Sequence, residues 1–291
     1  MTVKTLVSAW TGARRRLQAA GVESPVIDAR LLVEAAAGAT RADIITDPQR
    51  PLTPEQGALL EDLLHRREGR EPVSQILGVK GFWKITLRVT PDVLSPRPET
   101  ETILDVVLPE LPVDQPVHVL DLGVGSGAIL LAILAERPLA TGVGVDVSER
   151  ALAVARGNAA DLDLAGRVTL QCGDWGAGLG DATFDVVVSN PPYIRTGLIG
   201  SLAPEVRDHE PHLALDGGPD GLAAYRLLAR DIVRLLAPGG RFAVEIDTDQ
   251  GEDVSALFIQ AGAADVRVVR DLSDRDRVVT GVQKTLGQTT R

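Results

Sequence analysis

Residues 117–137 read VHVLDLGVGSGAILLAILAER. An apolar strand turns on three glycines straight into an apolar helix, and both elements then need covering on every side. A parallel sheet flanked by helices supplies that cover. The pattern recurs downstream. ATGVGVDV, RVTLQCGD, FDVVVSN and GGRFAVEI are strand-like, and helical stretches separate most of them. This alternation predicts a doubly wound, Rossmann-like α/β sheet.

The first eighty residues follow a different rule. Leu6, Trp10, Ala13 and Leu17 recur at helical spacing. SPVIDARLLVEAAAG offers Ser24 as N-cap, Pro25 at the first helical position and Gly38 as a stop. TPEQGALLEDLLHRREG places Thr53 and Gln56 at capping-box spacing, with Leu59, Leu60, Leu63 and Leu64 as the apolar face. GVKGFWKITLRV then reads as a β-hairpin. The expected organisation is a small helical domain over 1–77 serving substrate recognition, a hairpin linker over 78–95 and the α/β domain over 96–291. The closing KTLGQTTR is expected to fray.

Charge narrows the function classes. The chain carries 30 Lys and Arg against 40 Asp and Glu, a net charge of −10. Residues 1–80 hold 11 basic and 10 acidic side chains, the remainder 19 and 30. Nucleic-acid binders draw affinity from basic patches that neutralise phosphates, so the balance speaks against direct nucleic-acid binding. No run of about 18 apolar residues occurs, and MTVKTLVSAWTGARRR lacks the order of a signal peptide. A lone cysteine, Cys172, fits a reducing cytoplasm and reads as a small buried filler. The histidines offer no credible metal-ligand set. A cytoplasmic, monomeric protein with no membrane association is expected.

The glycine turn points to a nucleotide-like ligand. Gly123, Val124, Gly125, Ser126 and Gly127 let the backbone approach a ligand closely at a helix N-terminus. Asp146 ends the next strand, where a carboxylate accepts the hydroxyls of a ribose. Spacing alone does not separate NAD from S-adenosylmethionine. Two features favour the latter: the turn runs G-x-G-x-G behind Asp121, and CGDW follows the third strand. There Asp174 can accept an adenine amino group and Trp175 can flank the ring.

FDVVVSNPPY delivers Asn190, Pro191, Pro192 and Tyr193 to the same edge of the sheet. The Asn190 side-chain carbonyl and the Pro191 backbone carbonyl can each accept one N–H of a planar nitrogen. The prolines stiffen the loop, and the Tyr193 ring can pack on the planar group. Positioning for in-line methyl transfer would be the chief catalytic effect.

Five stretches resemble the HemK/PrmC family of S-adenosylmethionine-dependent N5-glutamine methyltransferases in order and spacing. They are QILGVKGFWKITLRVTPDVLSPRPETE, VLDLGVGSGAILLAI, VVSNPPYI, EVRDHEPHLALDGGPDGLAAYR and DLSDRDRVV, which together cover nearly the whole chain. The resemblance implies a class I methyltransferase domain behind a helical domain and a hairpin. It also implies methylation of the glutamine in the Gly-Gly-Gln loop of class 1 peptide chain release factors. Gly123 to Gly127, Asp146, Trp175 and Asn190 would contact cofactor, and Asn190 to Tyr193 would hold the glutamine amide. Pro96 to Glu101 would lie near the active site. Asp247 and Asp274 stand where the family usually has glycine and add carboxylates in loops expected to rim the cleft. The alternatives are an adenine-N6 DNA methyltransferase, an N5-glutamine methyltransferase of a ribosomal protein, and a non-catalytic binding module that kept the fold.

Overall fold

The computed structural model describes residues 4–181 and 183–284; the expected fraying of the tail falls, from residue 285 on, outside them. The chain forms two compact units. One ends at Val79 and also takes in Ala203–His209; the other comprises Lys80–Leu202 and the chain from Glu210 onward.

The smaller unit is built from α1 (Leu6–Ala19), α2 (Pro25–Ala37), α3 (Arg41–Thr46), α4 (Pro54–Glu68) and α5 (Val73–Leu77). Capping boxes start three of them, at Thr5 with Ser8, Thr40 with Asp43 and Thr53 with Gln56. Ser24 stands at the N-cap of α2 as expected, but its side chain makes no capping bond. Pro25 at the first position already removes one orphan N–H there. Gly38 ends α2 in the left-handed region, at φ 57°.

The apolar face of α4 differs from the expected one. Leu60, Leu63 and Leu64 are buried while Leu59 is 46% exposed. The buried stripe runs 60, 63, 64, 67, the i, i+3, i+4, i+7 face of a helix, and its last member is a charge. Arg67 is buried because two carboxylates meet it: Nε donates to Asp28 at 2.8 Å and Nη2 to Glu205 at 2.8 Å. Arg70 holds the other Glu205 oxygen at 2.6 Å. The Gln75 amide donates to the His209 carbonyl at 2.9 Å. Segment Ala203–His209 is thereby fastened into the helical unit.

The larger unit opens with a hairpin, β1 (Val79–Phe82) and β2 (Ile85–Arg88), followed by α6 (Glu101–Val107), β3 (His118–Leu122), α7 (Ala128–Glu136), β4 (Thr141–Asp146) and α8 (Glu149–Asp161). Then come β5 (Val168–Cys172), β6 (Phe184–Ser189), the short α9 (Pro204–Arg207) of the helical unit, α10 (Ala223–Leu235) and β7 (Leu236–Glu245). The chain finishes with α11 (Gly251–Gln260), β8 (Ala264–Arg270) and β9 (Asp276–Val282).

Strand order in the main sheet is β5-β4-β3-β6-β7-β9-β8. Neighbours from β5 to β7 pair in parallel; β9 runs antiparallel to both β7 and β8. The five parallel strands match the strand-like stretches of the sequence. The β8–β9 pair was not foreseen there. Alternation along each strand divides the core between the two sheet faces. Val119, Val186 and Val188 join Ile103, Leu130 and the hairpin's Phe82 and Leu87 in one cluster. Leu120, Leu122 and Val187 join α10 and α11 in the other. The hairpin therefore packs as part of the larger unit.

Glu205 sets a pH signature. Burial opposes its charge, yet hydrogen bonds from Arg70, from its own backbone N–H and from Arg67 win, holding the carboxyl down to about 2 against an ordinary 4.5. A depressed carboxyl pKa contributes stability that is present above 4.5 and drains as the pH falls toward 2. Glu205→Gln is expected to destabilise the helical unit by about 1–3 kcal/mol at pH 7. The difference from wild type should shrink as the pH falls through that window, as urea unfolding at a series of pH values would check.

Candidate active site

Four strand ends share one edge of the sheet. Leu122 pairs with Val145 across β3 and β4, Asp146 with Cys172 across β4 and β5, and Asp121 with Val188 across β3 and β6. Carried one or two residues further, these registers bring Gly123, Asp146, Cys172 and Asn190 into step. The strand order reverses here, since β4 lies on one side of β3 and β6 on the other, and doubly wound sheets bind ligands at such a switch point. The Ser189 hydroxyl donates to the Leu122 carbonyl at 2.6 Å and ties the two strand ends together. A cleft of about 450 Å³ opens over this edge.

The glycine turn forms one wall. Gly123, Gly125 and Gly127 have φ of 78°, 54° and 85°, a region where a side chain is strained. Asp146 holds the turn in place. Its Oδ2 accepts the Gly125 N–H and its Oδ1 the Ser148 N–H, both at 2.9 Å. Each carboxylate oxygen has a second lone pair, so both keep capacity for ligand hydroxyls. Trp175 lies over the turn, where a Cβ on Gly123 would stand 3.4 Å from its ring. Trp175 itself takes φ 49°, and the next peptide is clamped: the Gly176 N–H donates to Asp231 at 3.0 Å while its carbonyl accepts from Arg234 at 2.9 Å. Asp174 lines the same cleft.

Below the turn Asp121 is fully buried. Oδ2 accepts the Leu130 N–H at 3.3 Å, and Oδ1 has no partner among the described residues. Burial pushes this carboxyl up to about 7, the Leu130 N–H opposing and the Asp146 charge adding.

Asn190 and Pro192 line the opposite wall. Gly127, Pro191 and Tyr193 do not line the cleft. Gly127 is the last turn residue before α7, and Pro191 is buried. The Tyr193 ring packs against the cluster of Leu120 and Tyr225, and its hydroxyl donates to Glu245 Oε1 at 3.1 Å. The Tyr193 carbonyl accepts from the Gln250 amide at 3.1 Å, a bond that fixes the loop from behind.

Other lining residues carried no signal in the strand-and-turn pattern. Asp92 to Leu94, Arg97 and Thr100 enter from the stretch between β2 and α6. Leu213, Ala214 and Asp216 enter from the loop after α9. These two stretches are joined by Glu210, whose carboxylate accepts from the Arg97 guanidinium at 2.5 Å and from the Ser95 N–H at 3.3 Å. Burial pushes the Glu210 carboxyl up, with Arg97 and Ser95 opposing.

Three sequence expectations change. Cys172 is exposed, with Sγ 3.6 Å from the Val147 carbonyl, because it ends edge strand β5, beyond the cover that Val168 and Leu170 receive on the same face. Asp247 and Asp274 do not line the cleft. Asp274 sits in an exposed turn between β8 and β9 at φ 59°, which explains a preference for glycine at that position. Among the described residues no group of three or more His, Cys, Asp or Glu is arranged to hold a metal ion, and no helix is long and apolar enough to cross a membrane.

Residues 8–78 match the model of the PrmC N-terminal domain, and residues 114–261 that of a methyltransferase domain. The chain is 62% identical to a release factor glutamine methyltransferase of Caulobacter vibrioides over 282 residues, covering 97% of this chain and 98% of the relative. A release factor glutamine methyltransferase of Agrobacterium fabrum is 44% identical over 272 residues, covering 92% of this chain and 94% of that one. Among solved structures, a methyltransferase from Pyrococcus furiosus superposes with a TM-score of 0.50 at 19% identity, over 68% of this chain and 88% of that one. That likeness carries the fold alone.

The Asp146 carboxylate is expected to govern the order of the glycine turn. Asp146→Ala should speed hydrogen exchange at the Gly125 and Ser148 amides by roughly tenfold or more, the loss of one hydrogen bond to a charged group. Protection in β3 and β6 should persist. Residue-resolved exchange on the full chain would check both.

Proposed function

The chain belongs to the release factor glutamine methyltransferases, and from that premise we propose how its residues carry out methylation of the glutamine side-chain amide of a release factor. The methyl donor is S-adenosylmethionine. The cleft fits it. Gly123 leaves space that a side chain would fill against the Trp175 ring, and Asp146 presents a carboxylate with spare acceptor capacity. Asp174 and Trp175 line the same wall. In our reading Gly123 to Gly127 pass close beneath the cofactor, Asp146 takes the ribose hydroxyls, Asp174 the adenine amino group, and Trp175 flanks the ring. Bound there, S-adenosylmethionine supplies an electrophilic methyl group on a sulfonium sulfur.

The observation that carries the assignment of the substrate site is Asn190, at the carboxyl end of β6, opening on the same cleft as the glycine turn. Asn190 Oδ1, on the cleft, would accept one N–H of the target amide, and the adjoining Pro191 carbonyl, outside the cleft lining, would meet the other once the glutamine is seated. An amide nitrogen is a poor nucleophile because its lone pair is delocalised. Two fixed acceptors hold that nitrogen, favour lone-pair density on its open face and stabilise the positive charge it gains. The proton it then loses passes along these carbonyls to solvent. The location of Tyr193, off the cleft with its hydroxyl on Glu245, supports a role in bracing the loop.

We further propose that the target is the glutamine of the Gly-Gly-Gln loop, that the helical unit contributes recognition of the protein substrate, and that the enzyme works as a cytoplasmic monomer. The net charge of −10 supports recognition of protein rather than nucleic acid or an anionic membrane.

Labelled cofactor, purified release factor and the full-length enzyme test this directly. Label is expected on wild-type factor, none on a factor with that glutamine changed to alanine, and none on unmethylated adenine-rich DNA. Asn190→Ala should lower turnover about a hundredfold or more, the cost of losing one transition-state hydrogen-bond partner. Label on DNA, or undiminished label on the alanine factor, would overturn the reading.

A further inference from the structure

Asn190 carries an oxygen and an NH2 group of nearly equal shape, so shape alone does not decide which end faces a ligand. Its neighbour decides. Thr100 precedes α6, is buried and lines the cleft. Its Oγ1 accepts a hydrogen bond from Asn190 Nδ2 at 3.1 Å. A hydroxyl that accepts on one side still has its own proton to place.

Glu245, the last residue of β7, lies near Thr100. Its carboxylate makes a polar contact with the Thr100 side chain and accepts the Tyr193 hydroxyl on Oε1 at 3.1 Å. Its buried Oε2 has no hydrogen-bond partner among the described residues. Burial pushes the Glu245 carboxyl up to about 6, with Thr100, Arg277 and Tyr193 opposing and Glu99 adding.

We propose that Thr100 is a positioning residue that locks the Asn190 amide with its oxygen toward the cleft. The inference rests on the reading of Asn190 as acceptor for the target amide. With the lock in place, the cleft offers an acceptor to an incoming NH2 group. Without it, Asn190 samples the reversed orientation, in which its own NH2 meets that of the substrate and neither is satisfied.

Full-length enzyme and intact release factor provide the test. Thr100→Val removes the hydroxyl and keeps the shape. It should lower kcat roughly 10- to 100-fold, on the scale of one polar contact, while cofactor Kd stays within about twofold of wild type. Thr100→Ser should recover most of the rate. In an Asn190→Ala background, Thr100→Val should cost nothing further, since a residue acting only through Asn190 has nothing left to orient. If Thr100→Val fails to bind cofactor, Thr100→Ala takes its place.

Wild-type kcat in the valine variant, penalties that multiply in the double variant, or a serine variant as slow as valine would overturn the proposal. Full activity in Asn190→Ala alone would instead sink the underlying assignment of Asn190.

Discussion

Parallel pairing of β3 with β4 on one side and β6 on the other is the constraint on which the site depends. Hydrogen-bond register fixes strands against one another to within a residue, because a slip of one would turn every core side chain to the wrong face. Val119 and Leu120 face opposite clusters, as do Val186 and Val187, so the register of both strands is pinned by burial. The carboxyl ends then have no freedom left. Gly123, Asp146 and Asn190 arrive at one edge as a consequence of packing a few residues further back along the strands.

The polar chemistry of the edge follows from that arrival. Asp146 spends one hydrogen bond per oxygen on the backbone of its own site, to Gly125 and Ser148. Asn190 spends its nitrogen on Thr100, and Tyr193 spends its hydroxyl on Glu245. Each group that would meet a ligand is held by a bond that leaves one defined face unspent. Preorganisation of this kind costs nothing at the moment of reaction.

The parallel strands, the glycine turn, Asp146 and Asn190 were legible in the sequence because each is a local pattern: a run of apolar residues, a turn that only glycine tolerates, a polar residue at a strand end. Arg97 and Thr100 were placed near the site only by the family resemblance of Pro96 to Glu101, and Leu213 and Ala214 were not legible as cleft residues at all. Their place follows from chain segments that meet only in the folded state, such as the Glu210 contacts with Ser95 and Arg97 across more than a hundred residues. β8 and β9 escaped for a related reason: they pair antiparallel at the edge, with irregular register and no intervening helix. Leu59 and Cys172 were assigned the wrong environment because periodicity gives a face but not its width, and strand alternation decides exposure only once the sheet's edge is known.

The exposed Cys172 gives the molecule a built-in reporter. It is the sole cysteine of the sequence, and it sits in register with Asp146 two residues before Asp174. A thiol-reactive fluorophore or spin label would attach at one defined point beside the cleft in the wild-type chain. Occupancy of the nucleotide wall could then be followed optically, with no engineered cysteine to introduce and none to remove.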